Sequence, residues 1–317
     1  MRVVEAIKKA KKTLFTFEIL PPVKGDDIQS IYDTIDPLIE FDPVFVDVTY
    51  HREEIKYKEL RDGTIEKHVI RKRPGTVGIS AAIKFKYGLE VVPHIICGGF
   101  TREDTEDALI DLHFLGIHNL LVIRGDNLPG EKSFLPEKNG HHYAEPLIRQ
   151  IIDMNKGIYL DDEILNTSPT NFSVGVAGYP EKHIEAANLK TDIRYLKRKV
   201  EAGAEYIVTQ MFFENSYYFN FVKECRSAGI EVPIIPGLKP ISTKNQLLTL
   251  PRTFNISIPE DLEKEIEKCE DNKQARQVGV EWGIMQSKEL MSSGVPVIHY
   301  FTMGRSDNIR EIAKAVF

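Results

Sequence analysis

LFTFEILPP, residues 14–22, carries the pattern on which the fold turns: a short apolar run that ends in a carboxylate, then a double proline that stops the strand. The pattern recurs down the chain. Residues 44–48 end at Thr49, 91–93 at His94, and 119–123 run into Arg124, Gly125 and Asp126. Residues 172–177 end at Gly178 and Tyr179, 206–209 at Gln210, 232–235 at Pro236 to Lys239, and 295–299 near Tyr300 and Phe301. Helical stretches such as 192–202 separate these eight runs, which predicts an α/β fold: a single (β/α)8 TIM barrel over residues 1–317. In such a barrel every strand ends at one mouth, where chemistry sits. Polar residues at so many strand ends therefore place an active site there.

Strand parity sharpens the expectation. Side chains alternate faces, so Thr16 and Glu18 share one face while Phe15, Phe17 and Ile19 share the other. Asp47 and Thr49 likewise oppose Val46 and Val48, and Val92 and His94 oppose Val91 and Ile95. The apolar set suits the outer helices; the polar set suits the barrel axis. Val3, Val4, Ile7 and Ala10 form an apolar stripe on a lysine-rich opening segment, read as an extra N-terminal helix across the barrel floor.

Two connections are long. Residues 52–90 carry Arg71, Lys72 and Arg73 beside a similar number of acidic residues, which reads as a solvated helix face rather than a nucleic-acid patch. Residues 155–171 read as a surface loop, and 259–276 as a charged helix before the last strand.

The 317 residues hold 41 Lys and Arg against 47 Asp and Glu, a net charge of −6 that gives no general pull toward nucleic acid or anionic membrane. Cys97, Cys225 and Cys269 are scattered and odd in number, so no disulfide framework is expected. No 18-residue apolar span or signal-peptide core is seen, and the cytoplasm is the expected location.

The common nucleotide motifs are missing: no G-x-G-x-x-G follows a strand, and no P-loop is present. His94 and Cys97 lack a second ligand pair, so no metal site is expected. Three segments stand out. Glu18 sits at a strand end among apolar neighbours, where a carboxyl can stay protonated and act as a general acid, or sit in a structural ion pair. Arg124-Gly125-Asp126 combines close backbone approach with a fixed negative charge. Lys197-Arg198-Lys199 near a helix end can meet a phosphate or simply complement the helix dipole.

Taken together, FEILPP at 17–22, VTY at 48–50, Pro93-His94, RGD at 124–126 and YPEKH at 179–183 form an ordered series. It continues with LKRKVEAGA at 196–204, TQMFF at 209–213, IPG at 235–237 and Arg305. Across nearly the whole chain this series resembles the methylenetetrahydrofolate reductase family, flavoproteins of one-carbon metabolism that serve tetrahydrofolate interconversion and methionine biosynthesis. The resemblance implies a barrel holding FAD along its mouth and ping-pong hydride transfer. NADH or NADPH reduces the flavin and leaves; methylenetetrahydrofolate is then reduced to methyltetrahydrofolate on the same face.

Residue by residue, the resemblance implies that Glu18 is the general acid toward the folate's bridging amine. Asp126 would favour a cationic intermediate and tune the flavin, and Gln210 would orient substrate and nicotinamide. It assigns flavin contacts to Thr49, Tyr50, His94, Arg124, Gly125, Asp126 and Tyr143. The adenine, ribose and phosphate side falls to Tyr179, His183, Ala186, Asp192, Arg198 and Lys199. Folate contacts fall to Gln210, Gln246 and Arg305. A homo-oligomer acting on a small-molecule substrate is implied, with no nucleic-acid or membrane partner. The 52–90 and 155–171 connections are longer than in compact bacterial members, and Leu250 stands where an aromatic often meets the folate. The chain ends at Phe317, and the C-terminal regulatory domain of longer forms is expected to be missing. Two other readings stay open: a barrel flavoenzyme of the proline dehydrogenase type, and a non-catalytic pterin- or flavin-binding barrel.

Overall fold

The computed structural model describes residues 1–128, 131 and 133–317. Its strands in chain order are β1 (Leu14–Ile19), β2 (Val46–Val48), β3 (Glu54–Glu59), β4 (Ile65–Ile70), β5 (Val91–Ile96), β6 (Asn119–Ile123), β7 (Ser173–Gly178), β8 (Tyr206–Met211), β9 (Ile234–Leu238) and β10 (Val297–Phe301). Eight of them close a barrel in the order β1-β10-β9-β8-β7-β6-β5-β2. Each of these pairings is parallel. The eight runs read from sequence are these eight strands, and helices follow them around the outside. This is the (β/α)8 barrel that the sequence predicts.

Parity sorts the side chains as expected. Phe15, Phe17, Ile19, Val46, Val48, Val91, Ile95, Val174 and Val176 belong to the large buried cluster shared with the outer helices. Val92, Leu121, Tyr206, Val208, Ile235 and Val297 belong to a separate cluster, the barrel interior. Thr16 faces that interior, and its hydroxyl donates to the Phe45 carbonyl at 2.7 Å. The register sets Glu18 opposite Asp47, and Asp47 opposite Val92.

The helix Val3–Lys9 seals the floor. Val3 is 2% exposed and joins the interior cluster with Phe45, Val92 and Tyr206. Its amide donates to the Asn119 side chain at 2.9 Å, which satisfies one of the free donors at the helix start. Higher in the barrel the Tyr206 ring lies across β7, and its hydroxyl donates to the Leu120 carbonyl at 3.0 Å. Gly175 leaves room for it: a Cβ there would meet the ring at 2.3 Å.

Two expectations are corrected. Residues 52–90 hold an antiparallel hairpin, β3 paired with β4, before the helix Thr76–Tyr87. Residues 54–59 alternate charged and apolar side chains with a period of two, and Asp62-Gly63 makes the turn, with Gly63 at φ +78°. Charge counting missed that period. Arg71, Lys72 and Arg73 therefore lie on no helix face. Lys72 and Arg73 root the hairpin to the loop after β1: Arg73 donates to the Pro21 carbonyl and the Lys24 amide donates to the Lys72 carbonyl at 2.6 Å, while Lys72 pairs with Glu54 of β3 at 2.5 Å. The tail is two helices, Glu260–Lys268 and Asn272–Ser292, because Asp271 caps the second and accepts from the Gln274 amide at 2.8 Å. Residues 155–171 are a loop as expected, pinned by the Asn155 side-chain oxygen Oδ1, which accepts from Thr170 Oγ1 and the Phe172 amide. Among the described residues no helix is long and apolar enough to cross a membrane.

Candidate active site

Inward parity at the strand ends brings a buried polar cluster to the barrel mouth. Glu18 comes from β1, Asp47 from β2 and His94 from β5. His94 Nε2 stands 3.8 Å from Glu18 Oε2 and 3.5 Å from Asp47 Oδ2. Glu18 is 9% exposed, His94 6%, and Asp47 is fully buried. Among the described residues neither Asp47 oxygen nor His94 Nε2 has a hydrogen-bond partner. Unpaired buried polar atoms are costly, so a site that keeps three of them in contact is organised for something other than stability.

Burial dominates the electrostatics. It raises the Glu18 carboxyl to about 7, helped by Asp47 and opposed by His94 and Lys239. Burial alone lifts the Asp47 carboxyl well above the carboxylate range. It also lowers the His94 imidazole, against the pull of Glu18. Burial thus favours the protonated form of the Glu18 carboxyl toward neutral pH.

Two further buried groups face the same space. Lys239 follows β9 at the inward parity of Ile235 and Gly237, is 6% exposed, and burial lowers its amine to about 8. His299 on β10 is 1% exposed, neither ring nitrogen has a partner among the described residues, and burial pushes it down to about 3. Sequence reasoning assigned no role to Asp47, Lys239 or His299. The signal was present: each continues the inward alternation of its strand.

Around this cluster lies an arc of sites on β6, β7 and their loops. Arg124 is bidentate to Glu185 at 2.5 and 2.9 Å, with its guanidinium 5.0 Å from the Phe134 ring centre. Gly125, at φ +86°, turns the chain so that Asp126 stands exposed at the mouth. Asp126 is near enough to raise both the His51 imidazole and the Tyr179 phenol, behind larger effects of burial. Tyr179 and His183 meet edge to face at 4.8 Å, and the His183 amide donates to Asp192 at 2.8 Å. Lys199 reaches back along its helix, Leu189–Glu201, to donate to the Ala177 carbonyl at 2.7 Å; burial lowers its amine to about 8. Ala186 is buried, whereas Arg198 is exposed and pairs with Glu145 at 2.7 Å.

The remaining candidates are looser. Thr49 Oγ1 is buried without a partner among the described residues, and Tyr50 packs on Phe100 with ring centres 5.1 Å apart. Tyr143 is 64% exposed at the start of the helix Ala144–Met154. Gln210 folds back to accept from the Met211 amide at 2.9 Å, and Gln246 accepts from Ser242 and Thr243 amides. Arg305 is exposed beyond β10, after Met303 and Gly304 in left-handed conformations. Leu250 is 4% exposed in a side cluster with Met211 and Phe213. A cavity of about 660 Å³ opens beside Tyr50 and His94 and runs between the helices Thr76–Tyr87 and Arg102–Phe114. Among the described residues no group of three or more His, Cys, Asp or Glu is arranged to hold a metal ion.

Comparison with known proteins gives a consistent result. A model of the family described as methylenetetrahydrofolate reductase matches residues 3–316. The 5,10-methylenetetrahydrofolate reductase of Escherichia coli is 31% identical over 293 residues, covering 92% of this chain and 86% of its own. Methylenetetrahydrofolate reductase (NADH) 1 of Arabidopsis thaliana is 30% identical over 316 residues, covering 96% of this chain and 48% of its own. A probable methylenetetrahydrofolate reductase (NADPH) of Caenorhabditis elegans is 30% identical and covers 99% of this chain and 43% of its own. The chain thus spans about half the length of the first eukaryotic relatives it matches and most of the bacterial one.

Proposed function

The chain belongs to the methylenetetrahydrofolate reductase family, and from that premise we propose that it reduces 5,10-methylenetetrahydrofolate to 5-methyltetrahydrofolate, using NADH or NADPH in a ping-pong reaction through FAD. The observation that carries the reading is Glu18. It is a buried carboxyl at the barrel mouth that stays protonated up to about pH 7. That is the acid which opening of a methylene-bridged ring amine requires.

The mouth suits FAD. The orphaned Thr49 hydroxyl, the left-handed Gly125 backbone and the half-buried Lys199 amine are groups that a flavin dinucleotide would satisfy. Thr49, Tyr50, His94, Arg124, Gly125, Asp126 and Tyr143 would hold its ring and chain. Tyr179, His183, Ala186, Asp192, Arg198 and Lys199 would hold its adenosine and phosphates. When bound, FAD supplies the hydride store that links the two substrates.

The chain's own side chains do the rest. Glu18 holds the proton for the bridging nitrogen, so that the ring opens to an iminium. Asp126 supplies a fixed negative charge that favours this cation. Gln210 offers an amide to orient the pterin and, in its turn, the nicotinamide. Gln246 and Arg305 bind the folate, the arginine by paired hydrogen bonds to a carboxylate. This reading makes residues 1–317 one flavin-binding catalytic domain of a cytoplasmic homo-oligomer with small-molecule partners.

Two measurements test it together: the visible absorption of the purified protein, and turnover of methylenetetrahydrofolate with each nicotinamide. Yellow protein and methyltetrahydrofolate formation support the reading. Colourless protein that cannot be reconstituted with FAD would overturn it. Names of relatives include both NADH and NADPH, so the two donors are compared side by side.

A further inference from the structure

Asp47, like Lys239 and His299, is a buried ionisable group that the roles above leave unused. It lies directly opposite Glu18 in the β1–β2 register, with no exposed surface and, among the described residues, no hydrogen-bond partner on either oxygen. On the neighbouring strand β5, His94 Nε2 stands 3.5 Å from Asp47 Oδ2, and that same nitrogen is 3.8 Å from Glu18. Two carboxyls thus compete for one ring nitrogen.

The competition has a chemical consequence. A histidine free to engage Glu18 would take its proton and hold it as a carboxylate beside an imidazolium, which removes the acid. Asp47 is the nearer of the two carboxyls to Nε2, and by closing that 3.5 Å gap it prevents this in either protonation state. As a neutral acid it donates to the nitrogen's lone pair; as a carboxylate it accepts from the imidazolium. In both cases Glu18 is left unpaired in a desolvated mouth, where the neutral carboxyl is the favoured form.

We propose that Asp47 is a positioning residue for the acid step: from inside the barrel it occupies His94 and so keeps the proton on Glu18. The proposal rests on the reading of Glu18 as the acid. Other charged or titratable groups face the same cluster and are held constant in its test. Lys239, after β9, acts on Glu18. His299 on β10 and His51 after β2 both feel His94. Tyr206 on β8 feels Asp47.

The test is an NMR titration of the Glu18 carboxyl and His94 imidazole in the FAD-loaded protein, comparing wild type with Asp47→Asn. Asn keeps the size but can neither be charged nor give a carboxyl proton. Glu18 should lose its proton about one pH unit lower, a tenfold change in ionisation constant. The pH profile of methylenetetrahydrofolate reduction should shift by the same amount, so that activity near pH 6 is retained while activity near pH 8 falls. Reduction of the flavin by NADH, which needs no proton from Glu18, should be unchanged. In a His94→Gln background the Asp47→Asn shift should shrink, because the shared nitrogen is gone.

An unmoved Glu18 titration would overturn the proposal, as would a full shift that persists without His94, since Asp47 would then act by charge alone. Asp47→Ser provides the same comparison should the amide be poorly accommodated. Failure of the functional reading looks different: wild-type protein itself would not oxidise reduced flavin with methylenetetrahydrofolate, whatever the titration shows.

Discussion

At the scale of one residue, Glu18 ties the proposed function to stability. Glu18→Gln keeps size and hydrogen bonding but cannot protonate the bridging amine. Losing a general acid costs roughly 100- to 10,000-fold. That loss should fall on the folate half of the reaction, and stopped-flow reduction of the flavin by NADH should change far less. Equal losses in both halves would make Glu18 a structural residue. The pH dependence of stability follows from the same carboxyl. It titrates at about 7 when folded against an ordinary 4.5, so the folded chain binds more protons between these values. Its penalty is absent below about 4.5, grows as pH rises to about 7, and is constant above. Glu18→Gln should therefore stabilise the protein by up to about 3 kcal/mol at pH 8 and by almost nothing at pH 4, read from denaturant midpoints. No pH-dependent difference would mean that Glu18 is already ionised in the native mouth.

At the scale of elements, the barrel and the hairpin make opposite predictions. The Tyr206 ring fills the space that β7 leaves at Gly175, and a Cβ there has nowhere to go. Gly175→Ala should cost about 1–3 kcal/mol by overpacking, and Tyr206→Leu in the same chain should recover part of that loss. The hairpin of β3 and β4 pairs only within itself among the described strands and is rooted by Lys24, Lys72 and Arg73. Replacing residues 55–69 by a short Gly-Ser turn should leave the melting temperature within about 3 °C of the parent, because little apolar surface is lost from the core. A larger drop would show that the hairpin packs on the barrel in solution.

For the whole molecule, closure of the floor and occupancy of the mouth should both register as stability. Val3 sits among Phe45, Val92 and Tyr206 with 2% of its surface exposed. Val3→Asp would bury an unpaired carboxylate there and should cost about 3 kcal/mol or more, with a lowered melting temperature as the readout. At the other end, FAD binds only the folded barrel in this reading. Cofactor at about 100 times its Kd should therefore stabilise the protein by about 2.7 kcal/mol. A melting temperature that ignores added FAD would count against the mouth as its site.

Sequence by itself determined the barrel, because eight short apolar runs with polar ends and intervening helical stretches leave few other ways to bury their faces. Strand parity also fixed which side chains point inward, since that period is set by local backbone geometry. The same parity carried Glu18 and His94 to the mouth. It placed Asp47, Lys239 and His299 there too, but could not say that they meet. Contact between residues 18, 47 and 94 depends on barrel closure and register, which bring the Glu18 and Asp47 carboxyls within 4 Å of His94 Nε2 across long stretches of chain. Burial decided the rest. The carboxyl of Glu18 is an ordinary acid in the sequence and a proton-holding one only where the folded mouth strips away its water.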